Sequence, residues 1–325
     1  YGGGVMDFCL AVEELSKGCI GVSVSFAANA LGAYPILGFG TDEQKTKYLP
    51  DIAAGKKQAA FGLTEANAGS DAAGIQTTAV KDGDDYILNG TKQWITNGGE
   101  AETYTVIAMT DKTKGPRGAS MFILEKGMKG FSFGKKEKKL GIRASATREL
   151  VFQDCRVHKS QLLAREGMGF IIAMKNLDHS RPGIAAQGVG LAQGALDAAV
   201  KYARERVQFG KPLAGQPVIQ HMLADMATKT EAARALLYAT ARFIDSGAKD
   251  ISKMSAMCKL YATDISMEVA TDALQIFGGY GYMREYPVEK MFRDAKILQI
   301  YEGTNQIQRN VIGLELIKES VSAKG

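Results

Sequence analysis

A chain of 325 residues with 46% hydrophobic and 23% charged residues has enough apolar material for two or more packed units and the composition of an ordinary globular protein. Its formal charge of +5 is small for this length, and the lysines of Gly134-Lys135-Lys136-Glu137-Lys138-Lys139 are interrupted by an acid, so no nucleic-acid partner is expected. Cys9, Cys19, Cys155 and Cys258 lie far apart, and His158, His179 and His221 do not pair with them, which excludes a disulfide framework and leaves no metal site expected. No stretch reaches the roughly 18 apolar residues that cross a bilayer, so no membrane span is expected.

Residues 5–57 read as helical. Val5, Phe8, Cys9, Val12 and Leu15 recur at three- and four-residue spacing, with Gly18 and Gly21 as punctuation. Residues 29–37 are apolar on most sides, and Thr41-Asp42-Glu43 reads as an N-cap with acids in the first turn. From Ala59 the period changes to two. Asp82-Gly83 and Asn89-Gly90 read as hairpin turns, and residues 103–109, 119–124 and 149–152 as strands of a mostly antiparallel domain.

After Gly167-Met168-Gly169 the helical period returns. Two long apolar stripes follow, through Leu191, Ala195 and Ala199 and through Leu223, Met226, Ala233, Leu237 and Ile244. Asp178-His179-Ser180-Arg181 reads as the opening of the first bundle helix, residues 252–277 as a third helix stopped by Gly278-Gly279, and Pro287 as the start of a fourth.

Near the C-terminus, Ile300-Tyr301-Glu302-Gly303-Thr304-Asn305-Gln306-Ile307-Gln308-Arg309 sets one carboxylate ahead of a helix that Thr304 can cap. An acid there most often only stabilises the helix. Read alone, residues 64–70 are a polar loop, Trp94 is a core or interface residue, and Arg204-Glu205-Arg206-Val207-Gln208-Phe209-Gly210-Lys211 is a charged helix end with a glycine stop.

Taken together, the late run, Phe61-Gly62-Leu63-Thr64-Glu65-Ala66-Asn67-Ala68-Gly69-Ser70-Asp71, Trp94-Ile95-Thr96-Asn97-Gly98, Arg206-Val207-Gln208-Phe209-Gly210 and Gln275-Ile276-Phe277-Gly278-Gly279 resemble the signature segments of the acyl-CoA dehydrogenases, in that family's order. The resemblance covers the chain to about Gly313 and is closest to the short- and medium-chain, butyryl-CoA dehydrogenase-like members. It implies an α+β fold: a partial N-terminal α-helical domain (residues 1–58), a central antiparallel β domain (59–157) and a C-terminal four-helix bundle (158–325). Tyr1-Gly2-Gly3-Gly4 falls inside the family's N-terminal helical domain, so the sequence is expected to lack that domain's first helices.

The resemblance also implies the chemistry. FAD is the expected cofactor. Phe61, Leu63, Thr64, Gly69 and Ser70 would line the flavin, Trp94 would pack on its ring, and Ile95 and Thr96 would approach N5, where the hydride lands. Arg206, Gln208 and Phe209 would meet the pyrophosphate, with Gln216, Gln275, Ile276, Gly278 and Gly279 toward the adenine and Thr304 and Gln306 beside the cofactor; part of this set would come from a neighbouring subunit. Glu302 would remove the α-proton of the thioester, with Arg181 fixing its loop or biasing its charge, while Ser70, Asp178, Arg181, Tyr301 and Gly303 would contact substrate.

Some members carry the base at the position of Ser180, which is neutral here, so Glu302 takes that role. Many carry Pro-Gly where this chain has Ala66-Asn67. The expected reaction gives a trans-2-enoyl-CoA, with electrons passed to an electron-transfer flavoprotein; a flavin-dependent oxidase of acyl-CoA or nitroalkanes and a non-catalytic scaffold are the alternatives. The resemblance implies a homotetramer, a dimer of dimers, in the bacterial cytoplasm, or in the mitochondrial matrix of a eukaryote.

Overall fold

The computed structural model describes residues 3–322, so Tyr1 and Gly2 of the glycine-rich start lie outside the described residues. The chain divides into two compact units, one of residues 24–138 and 144–177, the other of residues 1–23, 139–143 and 178–325.

The first unit is built on a seven-stranded sheet in the order β1-β4-β2-β3-β7-β6, with β5 paired to β4. Its strands are β1 (Ala59–Gly62), β2 (Thr78–Asp82), β3 (Asp85–Thr96), β4 (Thr103–Met109), β5 (Ala119–Glu125), β6 (Phe131–Phe133) and β7 (Thr147–His158). Most neighbours are antiparallel, but β1 and β2 each pair with β4 in parallel. The sheet is therefore mostly antiparallel, as the sequence pattern suggested, and the two parallel pairings are the part that alternation does not report, since it shows which face a residue takes and not which way the next strand runs.

β4 is buried along its whole length, which explains its unbroken apolar run. Tyr104, Val106 and Ala108 join Leu88, Phe122, Phe131 and Leu150 in one core, and Ile107 and Met109 join Ile36, Met121, Ile123 and Ile172 in another. Asn89-Gly90 is not a turn. It lies inside β3 at a bulge opposite β7, and Gly90, at φ +142°, is needed because a Cβ there would come within 2.6 Å of Thr77 Oγ1. The two-residue hairpin is at Gly83-Asp84, between the paired Asp82 and Asp85.

Two helices accompany the strands. In α2 (Ile20–Phe39), a helix of 20 residues that runs through Gly21 and Pro35, an 18-residue stretch has a mean hydropathy of 1.5, enough by length and composition to cross a membrane. The expectation that no such stretch exists was too strict; Ile20, Val24, Ala28 and Ile36 are buried in the protein. α3 (Asp42–Ala53) starts at a capping box in which Thr41 Oγ1 accepts from the Gln44 amide and Gln44 Oε1 from the Thr41 amide.

The second unit is helical: α1 (Val5–Gly18), α4 (Gly169–Glu205, in this unit from Asp178), α5 (Pro217–Asp245), α6 (Ser252–Phe277), α7 (Pro287–Leu298) and α8 (Asn305–Ser322). α4, α5, α6 and α8 are the long helices of the bundle. The free amides of Val5 and Met6 at the start of α1 are met by the Asp245 carboxylate at 2.7 and 2.9 Å. Asp178-His179-Ser180-Arg181 does not open the first bundle helix. α4 has already begun at Gly169, and the Asp178 carboxylate is engaged by side chains instead of backbone amides. A short hairpin of β8 (Val207–Gln208) and β9 (Lys211–Pro212) follows α4, with Phe209 and Gly210 at positive φ at its tip.

Candidate active site

In the helical unit the segment between α7 and α8 is bent by two consecutive residues in the left-handed region, Glu302 at φ +53° and Gly303 at φ +90°. A glutamate there is strained, at a cost of order 1–3 kcal/mol, and persists only where neighbours hold it. Gln308, fully buried on α8, donates from Nε2 to the Glu302 carbonyl at 3.2 Å and the Gly303 carbonyl at 2.9 Å. Lys259, fully buried on α6, donates to the Gly303 carbonyl at 2.9 Å and to Asn305 Oδ1 at 2.7 Å. A Cβ at Gly303 would lie 2.7 Å from Gln308 Nε2, so position 303 needs glycine for space as well as for φ.

Three groups on α4 meet this segment. Ser180 donates to Glu302 Oε2, and Tyr301 donates its hydroxyl to Gln187 Oε1. Arg181, 5% exposed, donates to Asp178 Oδ1 at 2.5 Å, while Asp178 Oδ2 accepts from Ser252 at 2.5 Å. The half-buried Glu302 carboxyl is pushed to higher proton affinity by desolvation, against the pull of the Ser180 hydrogen bond and the charges of Arg181 and Lys259. Burial pushes Lys259 the other way, to about 7, against the attraction of Glu302. Four of the expected residues, Asp178, Arg181, Tyr301 and Glu302, thus gather with Ser180 where α4 meets this segment, in separate hydrogen bonds.

Two clefts border the same unit. One, of about 440 Å³, is lined by Thr304, Gln306, Asp264, Lys296 and Arg309; Thr304 also caps α8, its Oγ1 accepting from the Ile307 amide at 3.2 Å. The other, of about 510 Å³, is lined by Arg206, Gln208, Ile276, Gly278, Gly279 and Tyr280. Arg206 stacks 5.0 Å over the Tyr280 ring and makes no ion pair among the described residues. A guanidinium in a cleft with its fork uncommitted, an amide, an aromatic face and two glycines with open space above their Cα atoms form a donor set that fits a dinucleotide pyrophosphate. Phe209 is 95% exposed at the hairpin tip, Gln216 precedes α5, and Gln275 is exposed on α6.

The sheet unit holds the other expected residues. Phe61 lies in β1 half-buried, Leu63 is buried, and Thr64 is half-buried, its carbonyl accepting from the Gln93 amide at 2.8 Å. Gly69 and Ser70 are exposed. The β3–β7 register slips between Lys92 and Ile95, and in that bulge Trp94 takes φ +59° with its side chain 57% exposed. The bulge turns an aromatic ring into open space, and such a flat apolar surface is one on which a planar ligand can stack. Ile95 is buried behind it and Thr96 is half-buried opposite Thr147.

Under this loop lies a buried ion pair that the sequence reading missed. Lys92, with no exposed surface, donates to Glu65 Oε1 at 2.7 Å and to the Leu63 carbonyl at 3.1 Å, and Glu65 also accepts from the Gln76 and Thr77 amides at 2.6 and 3.0 Å. The signal was present, since Tyr86, Leu88 and Lys92 share one parity in β3. A comparable signal marked Lys259, which falls at helical spacing with Ser255, Ala262, Thr263 and Ser266 on a buried face. The free thiols of Cys155 and Cys258 are pushed by burial to about 11 and about 12, so neither is poised as a nucleophile.

Comparison with known proteins agrees over the whole length. The descriptions of the N-terminal, middle and C-terminal domains of acyl-CoA dehydrogenase match residues 1–56, 60–155 and 167–317. A short-chain-specific acyl-CoA dehydrogenase of Megasphaera elsdenii is 52% identical over 319 residues, 98% of this chain and 83% of that protein. The solved butyryl-CoA dehydrogenase of Megasphaera elsdenii superposes with a TM-score of 0.95 at 52% identity, covering 97% of this chain and 83% of that one. A chain from the structural work on the electron transferring flavoprotein of Acidaminococcus fermentans superposes at 0.96 with 56% identity, over 97% of this chain and 83% of that one.

These matches make the protein a flavin-dependent oxidoreductase. The chain belongs to the acyl-CoA dehydrogenase family. FAD is its cofactor, and dehydrogenation of an acyl-CoA is its reaction.

Proposed function

We propose that this chain oxidises a short-chain acyl-CoA between its α and β carbons, with Glu302 as the base that takes the α-proton. The observation that carries the assignment is the Ser180–Glu302 hydrogen bond. It orients the Glu302 carboxylate with a neutral donor, and although the bond itself favours the anion, burial still leaves the carboxyl with raised proton affinity. A base with proton affinity near the working pH is suited to a carbon acid whose own acidity rises when its carbonyl is polarised. Arg181 is committed to Asp178 and acts on Glu302 as a nearby positive charge.

Bound FAD supplies the acceptor for the β-hydride. The residues fitted to hold it are Arg206, Gln208, Gly278 and Gly279 at the pyrophosphate and adenine, with Thr304 and Gln306. Thr64, Trp94 and Thr96 offer a hydroxyl, a flat ring and a second hydroxyl to the isoalloxazine. Short chain length is supported by the butyryl-CoA and short-chain relatives. The likeness to a chain from work on an electron transferring flavoprotein supports such a flavoprotein as the electron acceptor.

Phe209, an aromatic side chain almost wholly exposed at a strained hairpin tip, supports an assembly of subunits that covers it and shares the cofactor site, a tetramer by family likeness. The test is anaerobic titration of the FAD-loaded protein with acyl-CoAs from four to sixteen carbons, followed by flavin bleaching. Bleaching greatest with the four-carbon thioester supports the reading; none with any thioester overturns it. Fast peroxide formation in air would instead identify an oxidase.

A further inference from the structure

We propose that Lys259 is a positioning residue for proton abstraction: held between the Gly303 carbonyl and the Asn305 side chain, its ammonium fixes the strained loop that carries Glu302 and keeps that carboxyl in its anionic form. The proposal rests on Glu302 being the base.

The first ground is charge placement. A buried ammonium with no carboxylate to pair with is a costly way to fill a helix interface, and a methionine of similar length would fill it without the cost. Lys259 has no exposed surface, and among the described residues it makes no ion pair; its acceptors are a backbone carbonyl and an amide oxygen. Asn305 cannot turn its amide away, because Nδ2 donates to Asp264 Oδ1 at 2.7 Å and to Thr263 Oγ1 at 3.0 Å. Its Oδ1 is thereby presented to Lys259.

The second ground is the balance of neighbouring charge. The groups that face Lys259 are Glu302 on the loop, Arg181 on α4 and Asp264 on its own helix. Arg181 is paired with Asp178 at 2.5 Å, and Asp264 with Arg309 on α8 at 3.0 Å. With those two pairs closed, the charges left without a partner are the ammonium of Lys259 and the carboxylate of Glu302. They act on each other through the two-residue left-handed bend that Lys259 itself pins.

The directions of titration agree. Burial raises the proton affinity of Glu302 and lowers that of Lys259, to about 7, while each attracts the charged form of the other. Two groups coupled in this way release their protons in two macroscopic steps that belong to the pair. Removing the positive charge takes away stabilisation of the carboxylate, so Glu302 holds its proton to higher pH and the acid limb of proton abstraction moves up.

The experiment measures the pH dependence of anaerobic flavin reduction by butyryl-CoA for the wild type, Lys259→Met and Lys259→Arg. In parallel, the protonated-carboxyl infrared band that Glu302→Gln removes is titrated without substrate. Lys259→Met should move the acid limb and the infrared midpoint up together by about one pH unit. Lys259→Arg, which keeps the charge, should stay near the wild type even where its rate falls.

A Lys259→Met protein whose rate drops while both midpoints stay within roughly 0.3 pH unit of the wild type would overturn the proposal, since a merely structural lysine changes rate or stability without moving them. If Lys259→Met does not fold, Lys259→Gln replaces it, because an amide still donates to Gly303 but carries no charge; the same shift is required of it. Absence of bleaching in the wild type would sink the dehydrogenase reading alone, for the infrared titration decides the coupling of Lys259 and Glu302 without turnover.

Discussion

Two lysines with no exposed surface, one in each unit, are held in opposite ways. Lys92 in the sheet faces a full negative charge, Glu65, at 2.7 Å, and Glu65 is anchored further by two backbone amides. Lys259 in the helical unit donates its hydrogen bonds to neutral oxygens, with charged groups near it but none paired to it among the described residues. Burial opposes the charge of both, taking Lys92 to about 8 and Lys259 to about 7. In the sheet pair burial works against the charge of Glu65 too, yet Lys92 and the two amides hold its carboxyl below the ordinary range. The geometry of two full charges and four hydrogen bonds favours reading it as an ion pair near neutral pH. The comparison teaches that Lys92 closes a clamp whose charges are paired with each other, while Lys259 has neutral acceptors beside the Glu302 loop, the arrangement on which its proposed role rests.

The largest expected effect breaks the clamp in the sheet. Lys92→Met leaves Glu65 buried without its cation and should cost roughly 3–5 kcal/mol of stability, seen as a lower denaturation midpoint with loss of bound FAD, because the backbone at Leu63 loses its donor. Glu65→Gln combined with Lys92→Met should recover much of that loss, since a neutral pair leaves no buried charge. Next is Arg206→Ala, which should lose FAD and part of its assembly together while the isolated chain keeps its circular dichroism. An apo protein that stays fully assembled would break the shared-site reading.

Smaller is Gly303→Ala, which forces a Cβ against Gln308 Nε2 and should destabilise by about 1–3 kcal/mol and slow flavin reduction more than it weakens acyl-CoA binding. The last is read as a slope with pH instead of a single offset. A lysine whose folded value lies below its unfolded one binds fewer protons in the native state across that interval, so stability rises with pH there. Lys259 should contribute such a rise from about pH 7 up to about 10.4, the unperturbed lysine value. Chemical denaturation across that window should show a shallower rise in Lys259→Met than in the wild type.

Much of the architecture could be read from residues alone, because helical stripes and the capping residues at Thr41 and Thr304 report local geometry directly. What escaped involved partners distant in sequence. Asn89-Gly90 has the chemistry of a turn, and only the proximity of Thr77 shows that its glycine serves a bulge inside a strand. Asp178 has the chemistry of an N-cap, but Arg181 and Ser252 claim its oxygens within a helix already under way. Glu302 and Ser180 are 122 residues apart, and nothing in local spacing joins them. Their association was legible only through resemblance to a family whose members place a base at either position. Lys92 and Lys259 carried a periodic signal, yet a lysine on an apolar face is easily read as a lapse in the pattern when its acceptors lie elsewhere in the chain.

The central claim, that Glu302 is the base, is tested most directly by mixing FAD-loaded Glu302→Gln with butyryl-CoA under anaerobic conditions and timing flavin bleaching against the wild type. The account predicts a variant that keeps its FAD, binds the thioester and bleaches more slowly by at least about a thousandfold, because an amide cannot take the α-proton. Bleaching within about tenfold of the wild-type rate would contradict it.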